Sequence, residues 1–331
     1  MSHPATAQLT VRVAEAALLN PLIRQFHLVA ADGAPLPGFE PGAHVRVLVT
    51  LPDGRIDWRH YSLIDTDGRP ATTAVPAAYR IAVRREADGR GGSRFMHEQL
   101  QPGALLQIEA PKNDFPLDAP GGATVLVAGG IGVTPLIAMA ARRVAEGVPV
   151  RMHYAGRSRA LMAYLPELNE LLGERLSVHA DDEAGRPFDV AALLDACGAE
   201  DHLYICGPKV MLDAVLAATQ ARGWPTGRVR FELFTEPVVE AGDRPFEVEL
   251  AQSGQRFTVA ADQSLLDCLI ENGCDPMFDC KRGECGVCAV PVIDGEIDHR
   301  DYVLSAREKA EGNVMQICIS RAKGARLVLD L

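Results

Sequence analysis

Four cysteines near the end of this 331-residue chain constrain its fold more than any other feature. Three stand in the run Cys-Lys-Arg-Gly-Glu-Cys-Gly-Val-Cys and one follows later; they are Cys280, Cys285, Cys288 and Cys318. This C-x4-C-x2-C…C spacing is that of a plant-type [2Fe–2S] site, in which four thiolates complete the sulfur shells of two irons. The loop must direct backbone N–H groups at the sulfurs, and Gly283 and Gly286 supply backbone angles that such a tight loop needs. We therefore predict an iron–sulfur cluster at these four residues.

Two other uses of the cysteines fit less well. Zinc is usually held by two C-x2-C pairs, and the first gap here is too long for that arrangement. A disulfide framework is typical of small secreted chains, whereas this chain is long and begins without a signal-peptide pattern. Of the remaining cysteines, we expect Cys197, Cys268 and Cys274 to be buried free thiols.

The charge of the chain is acidic and uneven. The formal net charge is −11, and residues 236–331 hold 18 acidic and 10 basic residues, a net of −8. This balance argues against nucleic acid as a partner. An acidic electron-transfer module often docks on a basic patch, although a merely soluble surface explains the charge equally well. The apolar run that begins at Thr124 is broken by glycine well short of a membrane span, so we expect no membrane association and a cytoplasmic location.

The first 112 residues have the pattern of a β-rich domain. Short strand-like runs are separated by turn sequences such as Asp32-Gly33 and Pro102-Gly103. The predicted strands are 9–14, 23–29, 44–51, 59–64, 79–85 and 105–109, with one helix at 93–100. Six short strands and one helix favour a small antiparallel β-barrel.

Residues 113–235 alternate between strand and helix patterns. The predicted strands are 124–128, 150–154, 176–179, 203–206 and 228–231; the predicted helices are 134–146, 161–172, 190–196 and 209–221. This order is typical of an α/β domain with a doubly wound parallel sheet. A linker at 235–244 leads into a third domain, whose first elements are strands 246–250 and 256–259 and a helix at 265–272.

Two turns that follow strands in the middle domain have the composition of nucleotide-binding turns. Gly129-Gly-Ile-Gly-Val-Thr-Pro135 opens a helix, where free N–H groups and the helix dipole favour a pyrophosphate. We predict Thr134 as the helix cap and a phosphate donor. The segment is not the G-x-G-x-x-G fingerprint, so a tight structural turn remains an alternative. Cys206-Gly207-Pro208 also ends a strand, and ligands collect at the carboxyl ends of parallel strands, so we expect both turns to face one crevice.

Two segments of the barrel domain have the composition of a site for an aromatic group that carries a phosphate. Arg59-His-Tyr-Ser62 places an arginine and an aromatic ring on one face of a strand, followed by a hydroxyl group. Gly89-Arg-Gly-Gly-Ser93 opens a helix and is a second candidate phosphate site. In isolation, an exposed Arg–Tyr pair is the simpler interpretation of the first segment.

In this order the motifs resemble the phthalate dioxygenase reductase family, to which vanillate demethylase and carnitine monooxygenase reductases belong. These proteins are reductase components of Rieske-type oxygenases. The resemblance implies a ferredoxin reductase-like FMN-binding barrel (1–112), an NAD(P)-binding α/β domain (113–235) and an α+β, β-grasp ferredoxin domain of the plant type (236–331). It further implies a monomeric NADH-dependent oxidoreductase in which electrons pass from NADH through FMN and the [2Fe–2S] cluster to a Rieske-type oxygenase component.

The resemblance also implies roles for residues at the matching positions. The flavin would be held by Arg59, His60, Tyr61, Ser62, Ala82, Val83, Arg84, Gly91, Gly92 and Ser93. The pyridine nucleotide would be bound by Gly130, Ile131, Gly132, Thr134, Cys206, Gly207 and Pro208. Ser62 would lie near the reactive flavin nitrogen, Cys206 near the nicotinamide carbon that loses hydride, and Phe234 on the isoalloxazine ring.

Two positions bear on cofactor choice. Arg84 stands where relatives often have lysine, so the charge is kept but the bonding geometry differs. Gly156-Arg-Ser-Arg159 follows a strand where the adenosine ribose would rest, and its cations could bind the 2′-phosphate of NADPH. The family leans to NADH, and we expect NADH here.

Other functions remain open at the level of the sequence. The same electron route could serve a cytochrome P450 or another acceptor, or the chain could be an electron-transfer subunit of a larger flavoenzyme. The long gap from Cys288 to Cys318 disfavours the subunit found in some dihydroorotate dehydrogenases. A redox sensor would leave three cofactor sites idle. A hydride donor supplies two electrons and the cluster accepts one, so a flavin between them is chemically required.

Overall fold

The chain folds into two compact units, residues 1–234 and 235–331. The computed structural model describes residues 7–68, 76–87, 89–118, 121–234, 240 and 242–331. Most of the predicted linker, residues 235–239 and 241, lies outside the described residues, as does the N-terminal stretch 1–6. Within the described ranges, every helix is too short or too polar to cross a bilayer.

The first unit begins with an antiparallel sheet. Its strands among the described residues are β1 (Gln8–Asn20), β2 (Ile23–Ala30), β3 (His44–Thr50), β4 (Ile56–Ser62), β5 (Tyr79–Arg84) and β6 (Leu105–Glu109), in the order β4-β3-β6-β1-β2-β5. The strands at the two ends of this order meet just beyond β4, where the Ile64 amide donates to the Arg80 carbonyl at 2.9 Å. This contact curves the sheet into the predicted barrel, with alternate side chains such as Val45, Val47 and Ile81 fully buried inside.

Several element boundaries in the barrel differ from the sequence-based expectation; β4, for example, spans Ile56–Ser62 and not 59–64. Strand β1 continues six residues beyond the predicted end, because register shifts after Val13 and Leu18 interrupt the alternation that marks a strand. The helix α1 (Gly92–Glu98) begins one residue before and ends two residues before the prediction. Its Met96 side chain is buried in the barrel core.

The first unit continues with a parallel sheet and helices. The strands are β7 (Thr124–Gly129), β8 (Val150–Gly156), β9 (Leu176–Ala180), β10 (His202–Cys206) and β11 (Val229–Glu232); the helices are α2 (Val133–Glu146), α3 (Leu165–Leu172), α4 (Asp181–Ala184), α5 (Val190–Asp195) and α6 (Lys209–Ala221). The order β11-β10-β7-β8-β9, with all neighbours parallel, confirms the doubly wound sheet. The chain reverses its direction across the sheet between β7 and β10, which is the topological switch point where ligands bind in such folds.

Helix α3 corrects the sequence-based prediction of a helix from residue 161. Residues Arg159–Leu161 instead form a separate 3-10 turn. Tyr164 then takes a left-handed backbone conformation with φ of 62°, and a proline occupies the first turn of the helix. A left-handed residue cannot continue a right-handed helix, so α3 begins only at Leu165.

The barrel and the parallel sheet share an apolar core within this unit. Ile23, Ile64 and Ala82 of the barrel lie in the same buried cluster as Leu126 and Tyr204 of the parallel sheet. The division of the unit into two domains at residues 112 and 113 therefore stays a prediction.

The second unit is a mixed α+β fold, as predicted. Its elements are β12 (Phe246–Leu250), β13 (Arg256–Val259), α7 (Leu265–Glu271), β14 (Ala289–Asp294), β15 (Ile297–Asp298), α8 (Ala306–Glu311), β16 (Val314–Gln316), β17 (Arg321–Ala322) and β18 (Arg326–Leu329). The larger sheet has the order β13-β12-β18-β14-β16, with β12 and β18 parallel. Helix α7 packs Leu265, Leu266 and Leu269 on this sheet, which is the grasp-like arrangement.

Candidate functional site

The two glycine turns of the first unit meet at the switch point of the parallel sheet. Strands β7 and β10 are neighbours, with Ala128 opposite Cys206. A Cβ atom built on Gly129 would lie 2.5 Å from Pro208 Cδ, and one on Gly132 would lie 2.2 Å from the Cys206 carbonyl oxygen. Glycine is therefore required at both positions, and the two turns lie together at one edge of the sheet; that they line one ligand crevice stays a prediction.

The first of these turns supplies backbone donors but not the predicted cap. Gly130, Ile131 and Gly132 form a 3-10 turn that leads directly into α2, whose first turn contains no acidic side chain. The prediction of Thr134 as helix cap is wrong. Because the helix begins at Val133, Thr134 lies inside the first turn, is 2 % exposed and donates its hydroxyl to the Ile131 carbonyl at 3.0 Å. Its contact with a nucleotide stays a prediction.

Residues assigned to the flavin and to the nicotinamide come together in one apolar cluster. Cys206 is fully buried in it, and Ala82 of β5 belongs to the same cluster. Phe234 is partly buried and packs against it. The candidate flavin side and the candidate nicotinamide side of the molecule thus meet across a region that side chains keep dry.

The candidate flavin segments lie on the two end strands of the barrel sheet. Residues 59–62 form the end of β4 and residues 82–84 the end of β5, the strands that approach each other where the barrel closes. The Ser62 side chain is buried, and no described residue hydrogen-bonds its hydroxyl oxygen. A buried hydroxyl without a partner costs free energy unless a bound group satisfies it. Ser62 therefore fits the predicted hydrogen bond to a flavin.

A candidate phosphate cradle lies where the start of α1 approaches Arg59 of β4. A Cβ atom on Gly92, at the start of α1, would lie 2.8 Å from Arg59 Nε, so the glycine lets the backbone approach this guanidinium. Arg59 Nη1 also contacts Asp57 Oδ2 at 2.5 Å. Burial raises the pKa of Asp57, but the Arg59 and Arg90 cations outweigh this effect and lower it overall. Ser93 Oγ accepts the Glu86 amide at 3.0 Å, which leaves its own hydroxyl proton for an acceptor.

Several other residues predicted to hold the flavin make contacts with other residues of the protein. Val83 O accepts from His97 Nε2 at 2.8 Å, and Arg84 pairs with Glu86 at 3.0 Å. His60 packs edge-on against the His44 ring, with centroids 4.9 Å apart. Tyr61 and Gly91 lie against the barrel core and Pro52, respectively. Their contacts with a flavin stay predictions.

The turn after β8, where the adenosine ribose would rest, faces a group of acids. Gly156 pairs with Ala180 at the end of β9, and α4 then presents Asp181, Asp182 and Glu183 in its first turn. Both Glu183 carboxylate oxygens accept from Arg159 Nε, at 2.8 and 2.9 Å. Arg159, one of the two arginines considered as ligands for a 2′-phosphate, is therefore already paired, and the adjacent carboxylates would repel a phosphate. Acids at this place are instead suited to a ribose 2′-hydroxyl.

The cysteine loop has the backbone geometry expected for a cluster site. Gly283 and Gly286 have φ of 76° and 78°, and Lys281 between the first two cysteines has φ of 56°. The backbone N–H of Arg282 donates to Cys280 Sγ at 3.3 Å, and the backbone N–H groups of Glu284 and Cys285 also lower the pKa of that thiol. The predicted direction of the loop N–H groups is confirmed.

The four thiols form two pairs. In the first pair, the hydrogen bond between Cys285 and Cys280 lowers the pKa of Cys280 and raises that of Cys285. In the second pair, the pKa of Cys288 is lowered and that of Cys318 is raised for the same reason. No three His, Cys, Asp or Glu side chains of the described residues are arranged around a single metal ion. Two pairs of thiols are what the two irons of a [2Fe–2S] cluster require, so the residues present fit that group.

Sequence reasoning missed two buried polar side chains beside this loop. Gln316 is 1 % exposed, and its Oε1 accepts from Cys288 Sγ at 3.3 Å. Asp301 has a fully buried carboxylate, and its Oδ1 accepts the amides of Val303 and Leu304 at 3.1 and 2.8 Å. The Asp301 backbone would contact a Cβ on Gly283 at 3.2 Å. In a sequence, an Asp that precedes a turn only weakly indicates a buried carboxylate beside a cluster loop. The contact between Asp301 and the loop is visible only in the fold.

Comparison with known proteins agrees with this geometry. Residues 126–217 match the oxidoreductase NAD-binding domain, and residues 248–323 match the 2Fe-2S iron-sulfur cluster binding domain. The toluene-4-sulfonate monooxygenase system reductase subunit of Comamonas testosteroni is 41 % identical, over 98 % of this chain and all of that protein. The structure of phthalate dioxygenase reductase is 35 % identical with a TM-score of 0.74, over 98 % of both chains. The chain belongs to the phthalate dioxygenase reductase family.

Family membership settles the general activity. The protein is an oxidoreductase of the oxygenase-reductase type, which transfers electrons from a pyridine nucleotide to a [2Fe–2S] centre. The predicted cofactor set of NADH, FMN and a [2Fe–2S] cluster is confirmed for this family. An intact self-sufficient cytochrome P450 monooxygenase is also similar, at 36 % identity and a TM-score of 0.71. This chain spans 43 % of that longer protein.

Glu183→Gln should relax the preference for NADH. Without its carboxylate partner, Arg159 becomes free to pair with a 2′-phosphate, so we expect the ratio of kcat/KM for NADPH to that for NADH to rise roughly tenfold, or about 1.4 kcal/mol. Asp195→Asn is the matched control, since Asp195 forms a similar exposed pair with Arg222 at 2.8 Å. Steady-state ferricyanide reduction with each nucleotide measures both. An unchanged ratio in Glu183→Gln would contradict the role assigned to this pair.

Asp301→Asn should raise the reduction potential of the cluster while keeping the loop folded. Asparagine can still accept the two backbone amides, but it removes a buried negative charge; at an effective dielectric constant near 20, this shifts the potential by about tens of millivolts. Asp294→Asn, on the exposed end of β14, should change the potential far less. A spectroscopic redox titration compares them. Equal potentials in all three proteins would show that Asp301 does not act on the cluster.

Proposed function

We propose that this protein carries electrons from NADH through FMN and its [2Fe–2S] cluster to a Rieske-type oxygenase component, as a cytoplasmic monomer. The observation that carries the proposal is the apolar cluster that contains Ala82 and Cys206 and against which Phe234 packs, because it joins the candidate flavin side to the candidate nucleotide side. When bound, a flavin supplies the chemistry that converts a two-electron donor into a one-electron donor.

The residues contribute position and environment rather than acid–base chemistry. The start of α2 and the turn at Gly207 would bind the pyrophosphate through backbone N–H groups. Arg59, Gly92 and Ser93 would bind the flavin phosphate, and the Ser62 hydroxyl would donate to the ring system. Cys206 and Phe234 would exclude water at the place where the two rings face each other, which protects a hydride from side reactions.

At the cluster, the protein sets the electronic environment. Backbone N–H groups at Arg282 and Gly283 would stabilise negative charge on the sulfurs, and burial of Cys280, Cys288 and Cys318 would limit contact with water. Hydrogen bonds to sulfur and solvent exposure are the main controls of such a potential.

A cytochrome P450 is the second candidate acceptor. It is supported by the similarity to the self-sufficient P450 monooxygenase, whereas the Rieske proposal is supported by the match to an oxygenase-system subunit and to phthalate dioxygenase reductase over nearly their full lengths. Stopped-flow oxidation of the NADH-reduced protein by an isolated Rieske oxygenase component and by an isolated P450 haem domain separates the two. Faster oxidation by the haem domain would favour the second candidate.

Ser62→Ala should weaken FMN binding. The variant removes the unsatisfied buried hydroxyl, and loss of one hydrogen bond to a bound group costs about 1 kcal/mol, or roughly a fivefold increase in Kd. FMN fluorescence quenching on titration into the flavin-free protein gives this constant. Ser177→Ala, an exposed serine on β9, is the control and should bind FMN as the parent does. Equal Kd values for all three would argue against contact between Ser62 and the flavin.

Cys318→Ser should abolish cluster-dependent transfer while leaving NADH-to-FMN reduction largely intact. Loss of one of four thiolates removes half of one sulfur pair, and the ligand set lies in the second unit. Visible absorption and EPR measure the cluster, and NADH–ferricyanide reduction measures the flavin. Cys274→Ser, outside the ligand spacing, should retain the cluster. A full cluster in Cys318→Ser would refute the ligand assignment.

A further inference from the structure

Large apolar side chains are exposed on and beside the cysteine loop. Val287, inside the loop, is 37 % exposed, and Val303 is 41 % exposed. The two belong to neighbouring segments, since a Cβ on Gly286 would lie 3.2 Å from Val303 Cγ1. Met277 is 73 % exposed and precedes Cys280 by three residues, so its Cα lies within about 11 Å of the first ligand. We call Met277, Val287 and Val303 the loop patch.

The loop patch lies in the most acidic part of the second unit. Residues 267–311 hold 11 acidic and 5 basic residues, a net of −6 out of the −8 carried by residues 236–331. Two of the nearby cations are already paired, Lys281 with Asp267 at 2.8 Å and Arg282 with Glu284 at 3.5 Å. The chain segment that carries the loop patch is therefore net acidic.

Neither the fold nor the cluster requires these side chains to be apolar and exposed. The cluster ligands and the N–H groups that bond them are supplied by cysteines and backbone. The core of the unit is complete without the loop patch, which is absent from its buried cluster. An apolar centre within a charged surround is instead the composition of a protein–protein contact. Among weak redox complexes such contacts are small, and charge speeds their formation.

We propose that the loop patch is the docking surface for the protein that receives the electron, and that this partner presents an apolar spot surrounded by lysine and arginine side chains. The proposal rests on the proposed function, since it assigns the exit of that electron route. Opposite charge brings the partners together quickly, and contact of the apolar centres brings the acceptor close to the cluster.

Val303→Lys and Met277→Lys test this proposal against Ile293→Lys. Ile293 is 59 % exposed on β14 of the same unit, so the control makes the same change of charge and polarity at an apolar site whose exposure lies between those of Val303 and Met277. The probe is oxidised cytochrome c, a basic redox protein. We measure its second-order reduction rate with NADH as donor at low and high ionic strength, beside NADH–ferricyanide reduction and the rate at which NADH reduces the cluster.

At low ionic strength we expect cytochrome c reduction to fall roughly fivefold or more in both patch variants, and less than about twofold in the control. Ferricyanide reduction, cluster content and cluster reduction by NADH should match the parent. A loss in Ile293→Lys as large as in the patch variants would show that only net charge matters and would overturn the proposal. Patch variants with parental rates, or with slowed reduction of their own cluster, would also overturn it. Failure of the proposed function is distinguishable, because NADH would then leave the cluster of the parent protein oxidised.

Discussion

The backbone contact between two turns at the switch point is the constraint on which the nucleotide half of the molecule depends. A Cβ on Gly207 would lie 3.0 Å from the Gly129 Cα, and a Cβ on Gly132 would overlap the Cys206 carbonyl. Only hydrogen atoms fit between the two turns, so the starts of α2 and α6 lie close together. The two helix starts then lie at the same edge of the sheet, where backbone N–H groups could bind an anionic ligand.

On the side of the barrel, the edge of the sheet borders apolar side chains and not backbone N–H groups. There Ala82 contributes to the same apolar core as Cys206 and Phe234, and the Ser62 hydroxyl is buried without a protein partner. An apolar region and a buried hydroxyl group are well suited to flat heterocycles, which need stacking area and few polar contacts. Phosphate binding and ring packing would thus take place at different points along the crevice. Backbone groups would bind the phosphates, and side chains would pack on the rings.

The sequence predicted features that are local and failed where partners come from distant segments. The strands 105–109, 246–250 and 256–259 and the helix 209–221 agree with the structure at both ends, because their residue patterns end at turn residues. The cysteine ligands follow from spacing alone. The short strands after residue 288 were missed because two to six residues give little periodicity. Glu183 was missed for another reason, since its role depends on Arg159, which lies on a different strand connection.

Burial of the cluster ligands limits how an acceptor can be recognised. Three of the four candidate ligands, Cys280, Cys288 and Cys318, are 7, 3 and 2 % exposed, and Cys285 is half-buried, so a docking protein contacts little of the thiol surface. Backbone N–H groups that hydrogen-bond the sulfurs would adjust the driving force for every acceptor alike. Discrimination between an oxygenase and a haem protein must therefore come from side chains around the loop. Because such contacts can change without disturbing the ligands, one cluster architecture can serve relatives as different as a sulfonate monooxygenase reductase and a self-sufficient P450.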